Sequence, residues 1–346
     1  MPASKQQAAN IISPEKFSGL MSLLGIDFSV SKNLAVAVSG GGDSIALTML
    51  LANWAKDKGI CIHALTVDHG LRPESTEEAK TVSKILKPFG ILHKILAWEG
   101  EKPKTRIQES ARQARYQLMS DYCLTHKISY LCVAHHAQDQ METILFRIAK
   151  GTGLDGLAGM RPVHILENGL IILRPLLSLS HEDLLATLKS ENINWIEDPS
   201  NKNNAYARVR MRQTLQSLEN EGLSSTRISS LSNRIIQSVQ LIDYFIEKEY
   251  SSILLSMHPQ RIEIDFNRFL DLPIEGKIRI LALLISKIHE SICSSARSSL
   301  PLSAPRLEDI ERLAHKINTH FKGATLGHCA FRKKKEKLEI RSEKLT

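Results

Sequence analysis

With 346 residues, 42% of them hydrophobic, the chain has material for more than the single core that about 250 to 300 residues usually share, so two or three domains are expected. No apolar run approaches the roughly 18 residues of a membrane span, the N-terminus carries no apolar signal core, and the five cysteines form no Cys-x-x-Cys pair. Membrane, secreted, disulfide-framework, zinc and iron–sulfur classes are therefore set aside, and a cytoplasmic protein is expected. The net charge of +8 suits a polyanionic partner, although a basic surface is also ordinary for a soluble protein.

In chain order, Ser13-Pro14-Glu15 supplies an N-cap, a first-turn proline and an early acid, so residues 1–32 read as a lead-in helix. Short apolar strands then alternate with longer helices. The strands are Leu34–Val38, Cys61–Val67, Leu92–Ala97, Ser129–Ala134 and Leu170–Arg174; the helices are 44–58, 74–87, 105–126, 138–150 and 181–190. This alternation predicts an α/β fold with a doubly wound, mostly parallel sheet over residues 33–215, whose ligands bind beyond the carboxyl ends of the strands. Asp198 to Asn204 reads as a polar loop. Residues 216–346 read as a mainly helical C-terminal domain: Leu231, Ile235, Val239, Ile242 and Ile246 form an apolar stripe, Ile262 to Phe266 a short strand, and the end of the chain a small hairpin. From Arg332 to the end, seven basic residues face three acidic ones, so this domain is expected to meet nucleic acid through phosphate contacts.

The most informative stretch is Val36 to Leu47, where an apolar strand breaks into Ser39-Gly40-Gly41-Gly42-Asp43-Ser44 and resumes with helical spacing. Successive glycines open the backbone N–H groups to a phosphate, Ser39 and Ser44 add hydroxyls, and the following helix presents its positive end. The stretch fits neither the Walker pattern nor the dinucleotide fingerprint, and the alternative to an anion cradle is a tight strand-to-helix turn with no ligand. A literal Gly-x-Gly-x-x-Gly at Gly151, Gly153 and Gly156 follows a helix rather than a strand and reads as a turn walling the crevice.

Three further constellations carry chemistry. His135, Asp139 and Glu142 share one face if a helix begins near His135; such a set holds Mg²⁺, or deprotonates an amine, or merely complements a helix dipole. Arg112 and Arg115, three apart, either clamp a phosphate or form a solvated face. Arg208, Arg210 and Arg212 alternate, which in an extended stretch aims them to one side, toward a nucleic-acid backbone or a triphosphate; a charged surface strand is the alternative.

Ser39 to Ser44 resembles the pyrophosphate loop, or PP-loop, of the N-type ATP pyrophosphatases, which have a Rossmann-like fold. Together with Val67-Asp68-His69-Gly70-Leu71-Arg72, Ala111-Arg112, Arg115-Tyr116, Ala134-His135-His136, Asp139-Gln140, Glu142-Thr143, Gly153 to Met160, Arg174-Pro175-Leu176-Leu177 and Glu197 to Asn201, it is similar to the tRNA(Ile)-lysidine synthetases. Gln138 stands where many relatives carry an Asp, and Val209 where they carry an Asn. The resemblance implies ATP as substrate with Mg²⁺, L-lysine and the CAU-anticodon isoleucine tRNA as partners, and leaves a homodimer open. The implied reaction is adenylation of the wobble cytidine followed by attack of the lysine amine, giving lysidine, AMP and pyrophosphate. By that resemblance Ser39, Gly40, Gly41, Gly42, Asp43 and Ser44 bind ATP, with Asp43 also holding the metal. Asp43, Arg112, Arg115, His135 and Asp139 act in catalysis, and His136, Glu142, Arg174, Arg208, Arg210 and Arg212 contact lysine or tRNA.

Overall fold

The computed structural model describes residues 9–29, 31–70, 75–100, 102–103, 105, 107–166, 168–197, 218, 221–295, 304–319 and 321–343. The chain divides into two compact units, Met1–Ile236 and Gln237–Thr346.

In the first unit, α1 (Pro14–Ser22) begins as the sequence indicates, the Ser13 hydroxyl accepting the Lys16 amide at 3.2 Å. Six strands follow: β1 (Asn33–Ala37), β2 (Cys61–Asp68), β3 (Leu92–Ala97), β4 (Tyr130–Cys132), β5 (Val163–Ile165) and β6 (Ile171–Leu173). They form one sheet in the order β3-β2-β1-β4-β6-β5. All neighbours are parallel except β5, which pairs antiparallel with β6. The crossovers are α2 (Gly42–Lys56), α3 (Ser75–Leu86), α4 (Ile107–Thr125) and α5 (Ala137–Ile148), followed by the single turn α6 (Leu154–Leu157) and, after β6, α7 (His181–Ser190).

Both faces of the sheet are covered, as parallel strands require. Val36 and Leu34 of β1 pack with Leu47 and Leu51 of α2 and Leu184 and Leu188 of α7, whereas Ala35 faces Met119 and Cys123 of α4. Alternation along one strand thus feeds two cores. The edge strand β5 is not legible in the sequence, because three residues give too short a periodic signal.

Of the four cysteines whose side chains are described, Cys123, Cys132 and Cys329 are buried and Cys61 half-buried. Burial pushes the Cys123 thiol up to about 12 and raises Cys132, and burial with the Glu343 charge pushes Cys329 up to about 12. Since the thiolate is the nucleophile, iodoacetamide at pH 7.5 is expected to alkylate Cys61 while these three stay unmodified until the protein is unfolded, as read by peptide mass spectrometry.

The second unit contains the end of α8 (Ser225–Ile253), a 29-residue helix that starts in the first unit. Then come β7 (Leu254–His258), β8 (Arg261–Asp265), α9 (Phe266–Asp271), α10 (Ile274–Ser295), α11 (Leu307–Ile317), β9 (Gly323–Leu326), β10 (Cys329–Lys334) and β11 (Lys337–Ser342). The strands form an antiparallel sheet in the order β7-β8-β11-β10-β9. The expected hairpin is therefore part of a larger sheet that the isolated strand at Ile262–Ile264 joins by pairing with β11. Ile262, Ile264, Phe331, Leu338 and Ile340 point into a core with Leu281, Leu284 and Leu313. On the other face Glu339 is enclosed by Arg261, Lys334 and Arg341, so part of the basic tail is paired within the sheet. Among the described residues, no helix is long and apolar enough to cross a membrane.

Candidate active site

Three helices begin at one place beyond the carboxyl ends of the strands. The first is α2, whose N-cap is Gly41; it carries no capping side chain, and its leading turn is the glycine loop itself. The loop is braced from within. The Ser39 amide donates to Ser44 Oγ at 3.2 Å and Ser44 Oγ donates to the Gly41 carbonyl at 2.8 Å. It is braced from behind as well, since the Ile196 amide donates to the Gly40 carbonyl at 2.9 Å. Gly40 has φ +92, and a Cβ there would lie 2.8 Å from Ile196 Cδ1. Among the described residues, a Cβ on Gly41 would meet only Ser39 Oγ, at 3.7 Å, so none of them closes this side of the loop.

The second helix, α5, starts at Ala137 with His136 as its N-cap. His136 Nδ1 accepts the Gln138 amide at 3.2 Å, and Asp139 Oδ2 accepts the His136 amide at 3.1 Å. The third, α7, is capped by Ser180, whose Oγ accepts the Asp183 amide at 3.0 Å, and its first residue is His181. Gln138 ties the second to the third: its Oε1 accepts the His181 amide at 3.1 Å and its Nε2 donates to Glu182 at 3.0 Å.

Asp43 sits where the three meet. Its Oδ1 accepts from His181 Nδ1 at 2.7 Å, and its Oδ2 lies 3.5 Å from His136 Nε2. Burial alone would push this carboxyl up, but the hydrogen bonds and charge of His136 and His181 outweigh it and hold Asp43 far below the usual carboxylate range. Asp43, His136 and His181 place one donor atom each within 4.8 Å of one another, a cluster able to hold a cation. Magnesium prefers oxygen ligands and completes its shell with substrate phosphates, so the Asp43 carboxylate fits it and the two imidazoles suit the task of fixing that carboxylate.

The remaining residues fall in two groups. His135 precedes the helix, so it does not share a helical face with Asp139 and Glu142; its Nδ1 instead accepts from Arg174 Nε at 3.3 Å. Asp139 serves the capping box, the dipole-complementing alternative for this acid, and Glu142 is buried. Arg112 and Arg115 diverge despite their spacing. Arg112 lies over the Tyr116 ring, 5.1 Å from its centroid, whereas Arg115 Nη2 is 3.4 Å from His69 Nε2. Burial and the Arg115 charge lower His69 to about 4. The glycine-rich segment after α5 is a turn held to that helix, with Arg147 donating to the Gly156 and Gly159 carbonyls at 3.0 and 2.9 Å. Arg208, Arg210 and Arg212, with the polar loop before them, lie outside the described residues.

Sequence reasoning missed His181 and the bridging part of Gln138. The signal was present: His181 follows a capping serine at the start of a helix that leaves the carboxyl edge of the sheet, where a first-turn side chain points toward a ligand.

The PP-loop domain family matches residues 7–219. The chain is 36% identical over 298 residues to the tRNA(Ile)-lysidine synthase of Bradyrhizobium sp. (strain BTAi1), covering 83% of this chain and 79% of that protein. The chain belongs to the tRNA(Ile)-lysidine synthase family. Within it, the synthase of Hyphomonas neptunium is 37% identical over 303 residues, covering 86% of this chain and 77% of that protein. The Wolbachia pipientis wMel synthase is 37% identical over 272 residues, covering 78% and 63%. Among solved structures, the U34-tRNA thiolase NcsA from Methanococcus maripaludis, with its [4Fe-4S] cluster, matches with a TM-score of 0.56 at 17% identity, covering 64% of this chain and 79% of that one. That likeness is one of fold.

Proposed function

We propose that this lysidine synthase family member joins L-lysine to C2 of the wobble cytidine of CAU-anticodon isoleucine tRNA, in two steps that use ATP. The cytidine O2 attacks the α-phosphate, the bond to the β-phosphate oxygen breaks and pyrophosphate leaves; the lysine amine then attacks C2, and AMP leaves as lysidine forms. The observation that carries this reading is the convergence of three helix N-termini on the open Ser39–Ser44 loop, in a chain of this family. That convergence favours a polyphosphate over any neutral ligand.

In this reading the loop amides and hydroxyls hold the pyrophosphate portion. Asp43, held by His136 and His181, offers Mg²⁺ one carboxylate; the ion when bound neutralises charge on the phosphates. Arg112 and Arg115 face charge that develops around the α-phosphate. His135 and Asp139 bind the lysine amine and take its proton, Glu142 and His136 line that part of the crevice, and Arg174, Arg208, Arg210 and Arg212 contact substrate or tRNA.

A single tube tests it: purified protein, ATP, Mg²⁺, labelled lysine and unmodified isoleucine tRNA with a CAU anticodon. Pyrophosphate release and label transfer that both require the tRNA are the expected result. Release without any label in the tRNA overturns the lysine assignment.

A further inference from the structure

Arg174 is a buried cation with no carboxylate partner among the described residues. It follows β6 directly at the carboxyl edge of the sheet, its amide pinned to the Pro162 carbonyl at 2.8 Å, and its side chain is 8% exposed. Its hydrogen-bond partners are neutral: Nε donates to His135 Nδ1 at 3.3 Å and Nη1 donates to the Arg161 carbonyl at 2.9 Å, with the Tyr116 hydroxyl close by. Among the described residues no carboxylate pairs with it. The charges close by have its own sign: Arg112 and Arg147 both disfavour the charged guanidinium, and burial disfavours it more. Arg147 is committed to the Gly156 and Gly159 carbonyls, and Arg112 lies over Tyr116, the ring that also neighbours Arg174.

Taking a guanidinium out of water is costly unless an anion accompanies it. A protein that needed only a brace between His135 and the Arg161 carbonyl would be served by a neutral donor. A planar fork of five N–H groups, with two engaged as above, suits bidentate contact with a planar or tetrahedral oxyanion. We propose that Arg174, with Arg112 and Tyr116, forms an oxyanion subsite separate from the Ser39–Ser44 loop, whose missing counter-charge is brought by a substrate. Two sources share that chemistry: the α-carboxylate of a free amino acid, and a phosphate of the nucleotide or RNA. The choice of these candidates rests on the proposed function; the existence of the subsite does not.

The test uses the full-length protein and the variants Arg174→Met, which removes the charge at similar length, and Arg174→Lys, which keeps it without the fork. Isothermal titration with L-lysine, with cadaverine as its carboxylate-free counterpart and with a non-hydrolysable ATP analogue, together with anisotropy on unmodified isoleucine tRNA, gives the affinities. Both variants are expected to weaken one ligand by about 10- to 100-fold. Loss for L-lysine but not cadaverine assigns the carboxylate; loss for the analogue or the tRNA assigns a phosphate. The ligand-free Arg174→Met protein is expected to melt at or above the wild-type temperature, because an uncompensated charge has been removed. A lower melting temperature with every affinity within threefold of wild type makes Arg174 a structural brace and overturns the proposal. Should the protein bind no lysine yet lose phosphate-ligand affinity in both variants, the lysine reading fails while the subsite stands.

Discussion

Replacing Asp43 with Ala or Asn is expected to slow tRNA-dependent pyrophosphate release by about 10²- to 10³-fold, the scale for deleting one preorganised electrostatic group from an active site. The expectation follows from where the carboxylate sits. It is in the first turn of α2, inside the loop proposed to take the phosphates, and both of its oxygens face histidines at the starts of two other helices. Three chain segments far apart in sequence therefore fix one rotamer, and a group fixed in this way needs no reorganisation when the nucleotide arrives. Asn keeps the shape and removes the charge, so it should fold like wild type and fail like Ala. Binding of tRNA, measured separately by anisotropy, should change little for either variant, since neither alters the basic residues. Turnover within tenfold of wild type in the Asn variant would remove Asp43 from the mechanism.

Much of this site was legible before any coordinates, and the reason is local. The succession of strand, glycine run and helix is set by neighbouring residues, so Ser39 to Ser44 reads as a candidate anion cradle, and the structure places it as the leading turn of α2. The parallel sheet was legible for the same reason: Val36, Leu65 and Leu131 lie in short apolar runs separated by helices too long for hairpins. What failed was anything set by a boundary. The sequence reads α5 as starting at Gln138, one residue after its observed start, and the shared face of His135, Asp139 and Glu142 holds only if the helix begins near His135; His136 is the cap and His135 turns to Arg174. The partnership of Asp43 with His181 spans 138 residues, and no periodicity encodes contacts at that range. Arg112 and Arg115 were paired by spacing alone, yet Tyr116 draws one and His69 faces the other.

The loop's glycines should separate into two kinds. Gly40→Ala is expected to cost stability and activity together. With φ at +92 a side chain is strained, by on the order of 1–3 kcal/mol. Its Cβ would also stand 2.8 Å from Ile196 Cδ1 and 2.9 Å from Val82 Cγ2, and valine, branched at Cβ, has little rotamer freedom to retreat. Relief must come from the loop itself, which moves the Gly40 carbonyl off the Ile196 amide and shifts the amides proposed to meet phosphate. Displacement of about 1 Å at reacting groups can remove about 10² in rate. Gly41→Ala differs: φ is −69 and among the described residues the nearest atom to its Cβ is 3.7 Å away, so none of them forces the fold to change. Its methyl group projects toward the open side where phosphate is proposed to sit. Circular dichroism melts with pyrophosphate-release assays on both variants check the pair. Gly40→Ala should melt several degrees below wild type and be inactive, and Gly41→Ala should melt with wild type and be inactive. Full activity in Gly41→Ala would mean that the phosphates do not lie against this loop, and the nucleotide site would have to be sought elsewhere along the carboxyl edge.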